Sequence, residues 1–69
     1  MNQAQRIRMA AAYKGVTLSS IADALGISIQ NFSQRIDRGS LNEDEIRCVA
    51  ETLGAESHTF FKFPDGTII

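Results

Sequence analysis

The sequence contains few of the residues that build disulfides and metal sites. Its 69 residues include one cysteine, Cys48, and one histidine, His58. A lone cysteine excludes an internal disulfide and favours a reducing compartment. One cysteine and one histidine also cannot supply the usual ligand set of a zinc site. We therefore predict no metal and no cofactor, and we expect Cys48 to be a half-buried small residue.

Long apolar runs are also missing. No run approaches the roughly 18 residues of a membrane-spanning helix, and the opening residues, MNQAQRIRMA, lack the apolar segment of a signal peptide. We expect no membrane partner and a cytoplasmic, nucleoid-associated location. The chain has no evident nucleophile–base pair, carboxylate pair or glycine-rich phosphate loop, so an enzyme is the least expected class, and no small-molecule substrate is evident.

The charged residues are divided unevenly along the chain. Residues 1–40 contain five basic and two acidic side chains, a net charge of +3, whereas residues 41–69 contain two basic and six acidic ones, a net charge of −4. The total of −1 hides this asymmetry. A basic half can present a positive face to phosphate, although ordinary scatter of surface charge gives the same counts.

Apolar periodicity and helix-ending residues predict a single domain over residues 1–69. A first helix is expected over residues 3–14, ending at Gly15, with a buried side drawn from Ile7, Met9, Ala10, Ala11 and Tyr13. A fourth helix is expected over residues 42–54, where Asn42 and Glu45 have the spacing of a capping box. Its apolar face is formed by Ile46, Val49, Ala50 and Leu53.

Between these helices, residues 17–39 predict two short helices joined by a tight turn. In the first, Thr17 is the expected N-cap and Gly26 the terminating residue, and the apolar positions are Leu18, Ile21, Ala22 and Leu25. In the second, Ser28 is the expected N-cap and Gly39 the terminating residue, and the apolar positions are Ile29, Phe32 and Ile36. This is the spacing of a helix-turn-helix.

The last residues, 58–69, change to a strand-like pattern. Pro64, Asp65 and Gly66 form a turn signal in which glycine takes the left-handed position of a bulge. We expect a hairpin that pairs roughly residues 59–63 with residues 67–69. One face should cover the helices, and the other face or the strand edge is a candidate for self-association through Phe60, Phe61, Phe63, Ile68 and Ile69.

These residues resemble the Cro/repressor-like (XRE-type) helix-turn-helix domains that bind DNA. The resemblance covers about residues 5–54 and rests on the pattern of residues 17–28, on Asn31-Phe32-Ser33 and on Arg38-Gly39. It implies a mainly helical, four-helix, lambda-repressor-like domain followed by a short β-hairpin, as in small phage-type members. Leu18 stands where many members have a phosphate-contacting glutamine. The second core residue of the third helix, Ile36, lies one position later than in the commonest family pattern. We therefore expect Arg35 to be exposed.

The resemblance further implies that the third helix enters the major groove of an operator. The side chains expected to contact base edges are Ile29, Gln30, Asn31 and Gln34. Those expected to contact phosphate are Thr17, Ser19, Ser20, Ser28, Ser33, Arg35 and Arg38. A solvated helix face is the plainer interpretation of the same polar residues.

The expected function is therefore that of a transcriptional regulator of the phage or prophage repressor type. Its partners are expected to be a double-stranded DNA operator and a second copy of the chain, joined through the C-terminal hairpin. The alternative is a protein-interaction or antitoxin-like adaptor module with the same fold.

Overall fold

The computed structural model describes residues 2–58 and 60–69, which form four helices followed by a small antiparallel sheet. The helices are α1 (Gln3–Lys14), α2 (Leu18–Leu25), α3 (Ile29–Arg38) and α4 (Glu43–Leu53), and the strands are β1 (Glu56–Ser57) and β2 (Phe61–Lys62). The prediction of a mainly helical chain with a C-terminal hairpin is confirmed. Within residues 2–58 and 60–69, no helix combines the length and the apolar character needed to cross a membrane.

Each helix begins at a side chain that accepts a hydrogen bond from the backbone of its first turn. Thr17 and Ser28 cap α2 and α3 through their hydroxyls, and Asn42 forms the predicted capping box with Glu45. A second capping box, between Asn2 and Gln5 at the start of α1, was not predicted. Such caps satisfy amide groups that have no partner within the helix.

Each helix also ends at a glycine in the left-handed conformation, with φ between 66° and 73°. The N–H of the residue after that glycine donates to a carbonyl in the last helical turn, as in a Schellman motif. After α1, α2 and α4 this residue is apolar and packs against the core as Val16, Ile27 and Ala55. After α3 it is Ser40, whose hydroxyl donates to the carbonyl of Arg35.

The core is formed by side chains from one side of every helix and from the inner face of the sheet. Its most completely buried large side chains are Ile7, Ile21, Phe32, Ile36, Val49 and Leu53. Leu18, Leu25, Ile29 and Ile46, at the margins of the predicted apolar faces, are partly buried against it. The prediction that Met9 and Tyr13 belong to the buried side of α1 is wrong, since both are nearly half exposed (49% and 46%). Ala4, one turn before Ile7, is buried there instead.

The sheet differs from the predicted hairpin in where it begins. Strand β1 pairs with β2 in the register Glu56 with Lys62 and Ser57 with Phe61, so pairing starts three residues before the predicted strand of residues 59–63. Thr59, placed in the first strand by prediction, lies outside the described residues.

The second half of the hairpin follows the prediction more closely. Around the turn at residues 64–66, Phe61 and Ile69 exchange two backbone hydrogen bonds, and the amide of Phe63 donates to the carbonyl of Thr67. Gly66 has the expected positive φ of 91°. The residues that end the chain therefore lie alongside β2 on the side opposite β1.

The aromatic residues of the hairpin point mainly inward. Phe61 and Phe63 are each only 3% exposed and belong to the core. Their assignment to a self-association surface is therefore wrong, because alternate residues of a strand share a face and this face covers the helices. Phe60 and Ile69 are half-buried, and Ile68 is exposed.

Candidate functional site

Helix α3 separates its apolar and polar side chains into two opposite faces. Phe32 and Ile36 are buried, while Gln30, Asn31 and Gln34 are exposed. The spacing of 3.6 residues per turn places the three amide side chains on one side of the helix, and Arg38 falls on the same side one turn beyond Gln34. Four of the polar side chains that the sequence singled out therefore lie along one solvent-facing stripe.

Two other predicted contact residues of α3 lie at the margins of this stripe. Ile29 is partly buried against the core, and Ser33 is half-buried. Ile29 therefore presents only part of its side chain to the surface, as expected for a residue at the start of the helix. The outward-facing groups of α3 are mainly amides.

The first turns of α2 and α3 contain no acidic residue. The Thr17 hydroxyl accepts from the amide of Ser20 at 3.1 Å and lies 2.8 Å from the Ser20 hydroxyl. The Ser28 hydroxyl accepts from the amide of Asn31 at 3.1 Å. A capping hydroxyl that accepts still has its own proton to donate. With exposed Ser19, these groups place uncharged donors at the positive N-terminal ends of the two helices.

Leu18 packs partly buried against the core. Its side chain contributes to folding and presents no polar group at the N-terminus of α2. The available donors at this end of the helix are therefore hydroxyls and backbone amides.

Arg35 does not have the environment that the sequence predicted. Its Nη2 donates to Oε1 of Glu45 in the first turn of α4, and the two side chains are only 28% and 20% exposed. The expectation that Arg35 is exposed is therefore wrong. The partner comes from the acidic half of the chain, and position in sequence did not reveal it.

The carboxylate of Glu45 serves two partners at once. Its Oε1 accepts from Arg35 and also from the amide of Asn42, at 3.0 Å, within the capping box. The Arg35 guanidinium, followed by the Asn42 amide, holds the pKa of Glu45 below its ordinary value of 4.5. Glu45 is therefore ionised at neutral pH and connects α3 to the start of α4.

A second ion pair joins α3 to α1. Arg8 Nη1 donates to Oδ1 of Asp37 at 3.1 Å, and both side chains are about half exposed. Asp37 borders the exposed stripe of α3, so Arg8 offsets a negative charge that would repel an anion. The side chain of Arg38 has neither an ion pair nor a hydrogen bond with any of the described residues. Arg38 is thus the cation of α3 that is available to an external anion.

The C-terminal segment presents an open strand edge. Ile68 is 57% exposed and lies opposite Lys62 as an isolated bridge. On either side of it, Ile69 exchanges two backbone hydrogen bonds with Phe61 of β2, and the Thr67 carbonyl accepts from the amide of Phe63. Because the directions of backbone hydrogen bonds alternate along a strand, the N–H and C=O of Ile68 face away from the sheet.

The remaining chemically distinctive residues are Cys48 and His58. Cys48 is half-buried, as predicted, and its thiol lies 3.6 Å from the carbonyl of Ala24. His58 is exposed, 3.2 Å from a carboxylate oxygen of Glu56. The described part of the chain contains no group of three or more His, Cys, Asp or Glu side chains suited to a metal ion. A shallow depression of about 320 Å³ lies between α1, α4 and the sheet, away from α3.

Comparison of the chain with protein-family models, with curated proteins and with solved structures finds no match.

Proposed function

We propose that this protein is a sequence-specific DNA-binding regulator of the phage or prophage repressor type, with α2 and α3 as a helix-turn-helix. The observation that carries the proposal is the polar face of α3. Gln30, Asn31 and Gln34 stand free on the surface while Phe32 and Ile36 hold the opposite face in the core. A helix of this kind fits the width of the major groove.

The chemistry of the exposed amides suits the reading of base edges. Glutamine and asparagine each carry a donor and an acceptor on one planar group, which matches the N6 and N7 positions of adenine. Ile29, half-covered by the core, offers an apolar surface to a thymine methyl group. Gln30 and Gln34, one turn apart, would contact neighbouring base pairs.

Phosphate contacts would come from the N-terminal ends of α2 and α3 and from one arginine. The hydroxyls of Thr17, Ser19, Ser20 and Ser28 lie where backbone amides and helix dipoles favour an anion. Ser33, half-buried at the margin of α3, would add one further hydroxyl contact. Arg38 would supply a charge-assisted contact at the other end of the stripe. Few charges are involved, so the dependence of affinity on salt should be modest.

A two-fold operator would require two copies of the chain. We propose that Ile68, with half-buried Phe60 and Ile69, forms the self-association surface through the open edge of the C-terminal strand. An edge whose N–H and C=O groups have no backbone partner among the described residues, and which carries an exposed isoleucine, favours addition of a second strand. A dimer built in this way would present one α3 for each half-site.

The proposal is tested by measuring affinity for mixed-sequence duplex DNA as a function of salt concentration. The plot of log K against log salt has a negative slope, and Arg38→Ala should reduce the magnitude of that slope by about 0.9, the value for one lost phosphate contact. Arg47→Ala is the matched control, because Arg47 is an exposed helical arginine whose i,i+3 partner Asp44 is also exposed. Equal slopes for both variants would refute the Arg38 assignment. No DNA affinity, together with a stable complex with another protein, would favour the interaction module.

A further inference from the structure

We infer that Arg35 is a positioning residue, which fixes the recognition face of α3 through Glu45 and does not itself bind phosphate. This inference rests on the proposed function, because it concerns the helix that would enter the groove. It reassigns a residue that sequence alone placed among the phosphate contacts.

The first observation is that Arg35 is held at both its backbone and its side chain. Its carbonyl accepts from the amide of Ser40 at 2.9 Å and from the Ser40 hydroxyl at 3.1 Å. Its guanidinium donates to Glu45. The connector between these partners contains Leu41, which is buried in the core. Arg35 is thus tied to both ends of the link between α3 and α4.

The second observation is that the Arg35–Glu45 pair is less exposed to solvent than the ion pairs formed by Arg8, Arg47 and His58. The side chains of Arg8 and Asp37, Arg47 and Asp44, and His58 and Glu56 are all at least 44% exposed, whereas those of Arg35 and Glu45 are at most 28% exposed. A less exposed pair loses less to solvent screening and orients its elements more strictly. The shared oxygen of Glu45 also transmits this constraint to the capping box of α4.

The third observation is the position of Arg35 on α3. It follows Gln34 directly, and Ile36 after it is fully buried, so the pair with Glu45 forms at the border between the exposed stripe and the core. A change at this border rotates or tilts the stripe relative to the rest of the molecule. Specific contacts are sensitive to such a shift, whereas non-specific phosphate contacts are much less so.

The test uses Arg35→Gln and Glu45→Gln in the full chain. The amide introduced by Glu45→Gln keeps an oxygen that accepts from the Asn42 amide, so the variant removes the charge and preserves the cap. Asp44→Asn is the matched control, because it removes the same charge from the same helical turn and leaves Arg35 paired. Each variant is measured on a selected DNA site and on mixed-sequence DNA over a range of salt.

We expect Arg35→Gln and Glu45→Gln each to lower the ratio of specific to non-specific affinity by roughly threefold to tenfold, and the double variant to be no worse than either. The salt slope of Arg35→Gln should equal that of the wild type. The inference would be overturned if Arg35→Gln reduced the magnitude of the salt slope by about 0.9 while Glu45→Gln left the ratio of specific to non-specific affinity unchanged. That result would show that Arg35 contacts a phosphate.

A measurement without DNA separates this inference from the proposed function. In amide NMR spectra, Glu45→Gln should shift resonances along α3 as far as Gln30, and Arg35→Gln should shift the same ones. Shifts confined to the residues around position 45 would overturn the positioning role. Shifts along α3 in a protein that binds no DNA would retain the positioning role and reject the DNA-binding proposal.

Discussion

Tyr13, in the last turn of α1, donates its phenolic hydroxyl to Oδ2 of Asp65, in the turn that follows β2. The same hydroxyl lies 3.0 Å from that of Thr67, and the Tyr13 ring meets the Phe63 ring edge-on at 4.9 Å between centroids. These contacts attach the hairpin turn to the first helix. The phenol, followed by the backbone amide of Thr67, holds the pKa of Asp65 below its ordinary value of 3.8.

Tyr13→Phe should therefore raise the pKa of Asp65 towards 3.8. A carboxyl group whose pKa is lower in the folded chain than in the unfolded chain stabilises the folded state at pH values above its unfolded pKa. This stabilisation is therefore present at neutral pH and is lost as the pH falls through the folded pKa. The variant keeps the ring contact with Phe63 and removes only the hydroxyl. Titration of the side-chain carboxyl carbons by NMR measures the shift, with Glu45 as the internal control that should not change. An unaltered Asp65 titration would contradict the assigned contact.

Gly26→Ala should destabilise the protein by about 1 kcal/mol, because an L-residue is disfavoured in the left-handed region. Gly26 has a φ of +73°, and an added Cβ would meet no heavy atom within 4 Å, so the cost is that of the backbone alone. Urea unfolding of chemically synthesised chains measures the change in the free energy of unfolding.

D-alanine at position 26 is the matched control for this substitution. It has the same side chain but favours positive φ, and it restricts the unfolded chain, so it should leave stability unchanged or raise it by about 0.5 kcal/mol. Equal destabilisation by both alanines would show that a steric clash, and not backbone conformation, sets the requirement for glycine.

Ile68→Lys should shift the chain from dimer to monomer in sedimentation velocity at micromolar concentrations. A charge on an open strand edge opposes the approach of a second edge. Met9→Lys is the matched control, since Met9 is also a large exposed apolar residue (49%, against 57% for Ile68) and lies on α1. A wild-type chain that remains monomeric at high micromolar concentration, with and without DNA, would reject the proposed interface.

The helix boundaries were predictable because the signals that set them are local. Thr17, Ser28 and Asn42 each act within one turn, and the terminating glycines need no distant partner. The sequence does not predict strand β1, because Glu56 and Ser57 carry no strand-like pattern and pair only where β2 folds back against them.

The side-chain environments were less predictable because they depend on partners far along the sequence. Arg35 is paired because Glu45 lies within reach in the next helix, and Tyr13 is hydrogen-bonded to Asp65 in the hairpin turn. The exposed amides of α3 could be predicted, since Phe32 and Ile36 define the opposite face. The pairing of Arg8 with Asp37 could not, because no helical spacing links them.

The most direct measurement is selection of binding sites from a random pool of duplex DNA, with the wild type and with Gln30→Ala/Gln34→Ala in parallel. Arg47→Ala/Glu51→Ala is the matched control, a pair of exposed residues also four apart on a helix, whose replacement leaves the net charge unchanged. DNA binding through α3 predicts that the wild type and the control enrich the same motif, with two-fold half-sites about 10 base pairs apart. The α3 variant should remain folded and lose that enrichment. No enriched motif for the wild type, or the same motif for the α3 variant, would contradict sequence reading by this helix.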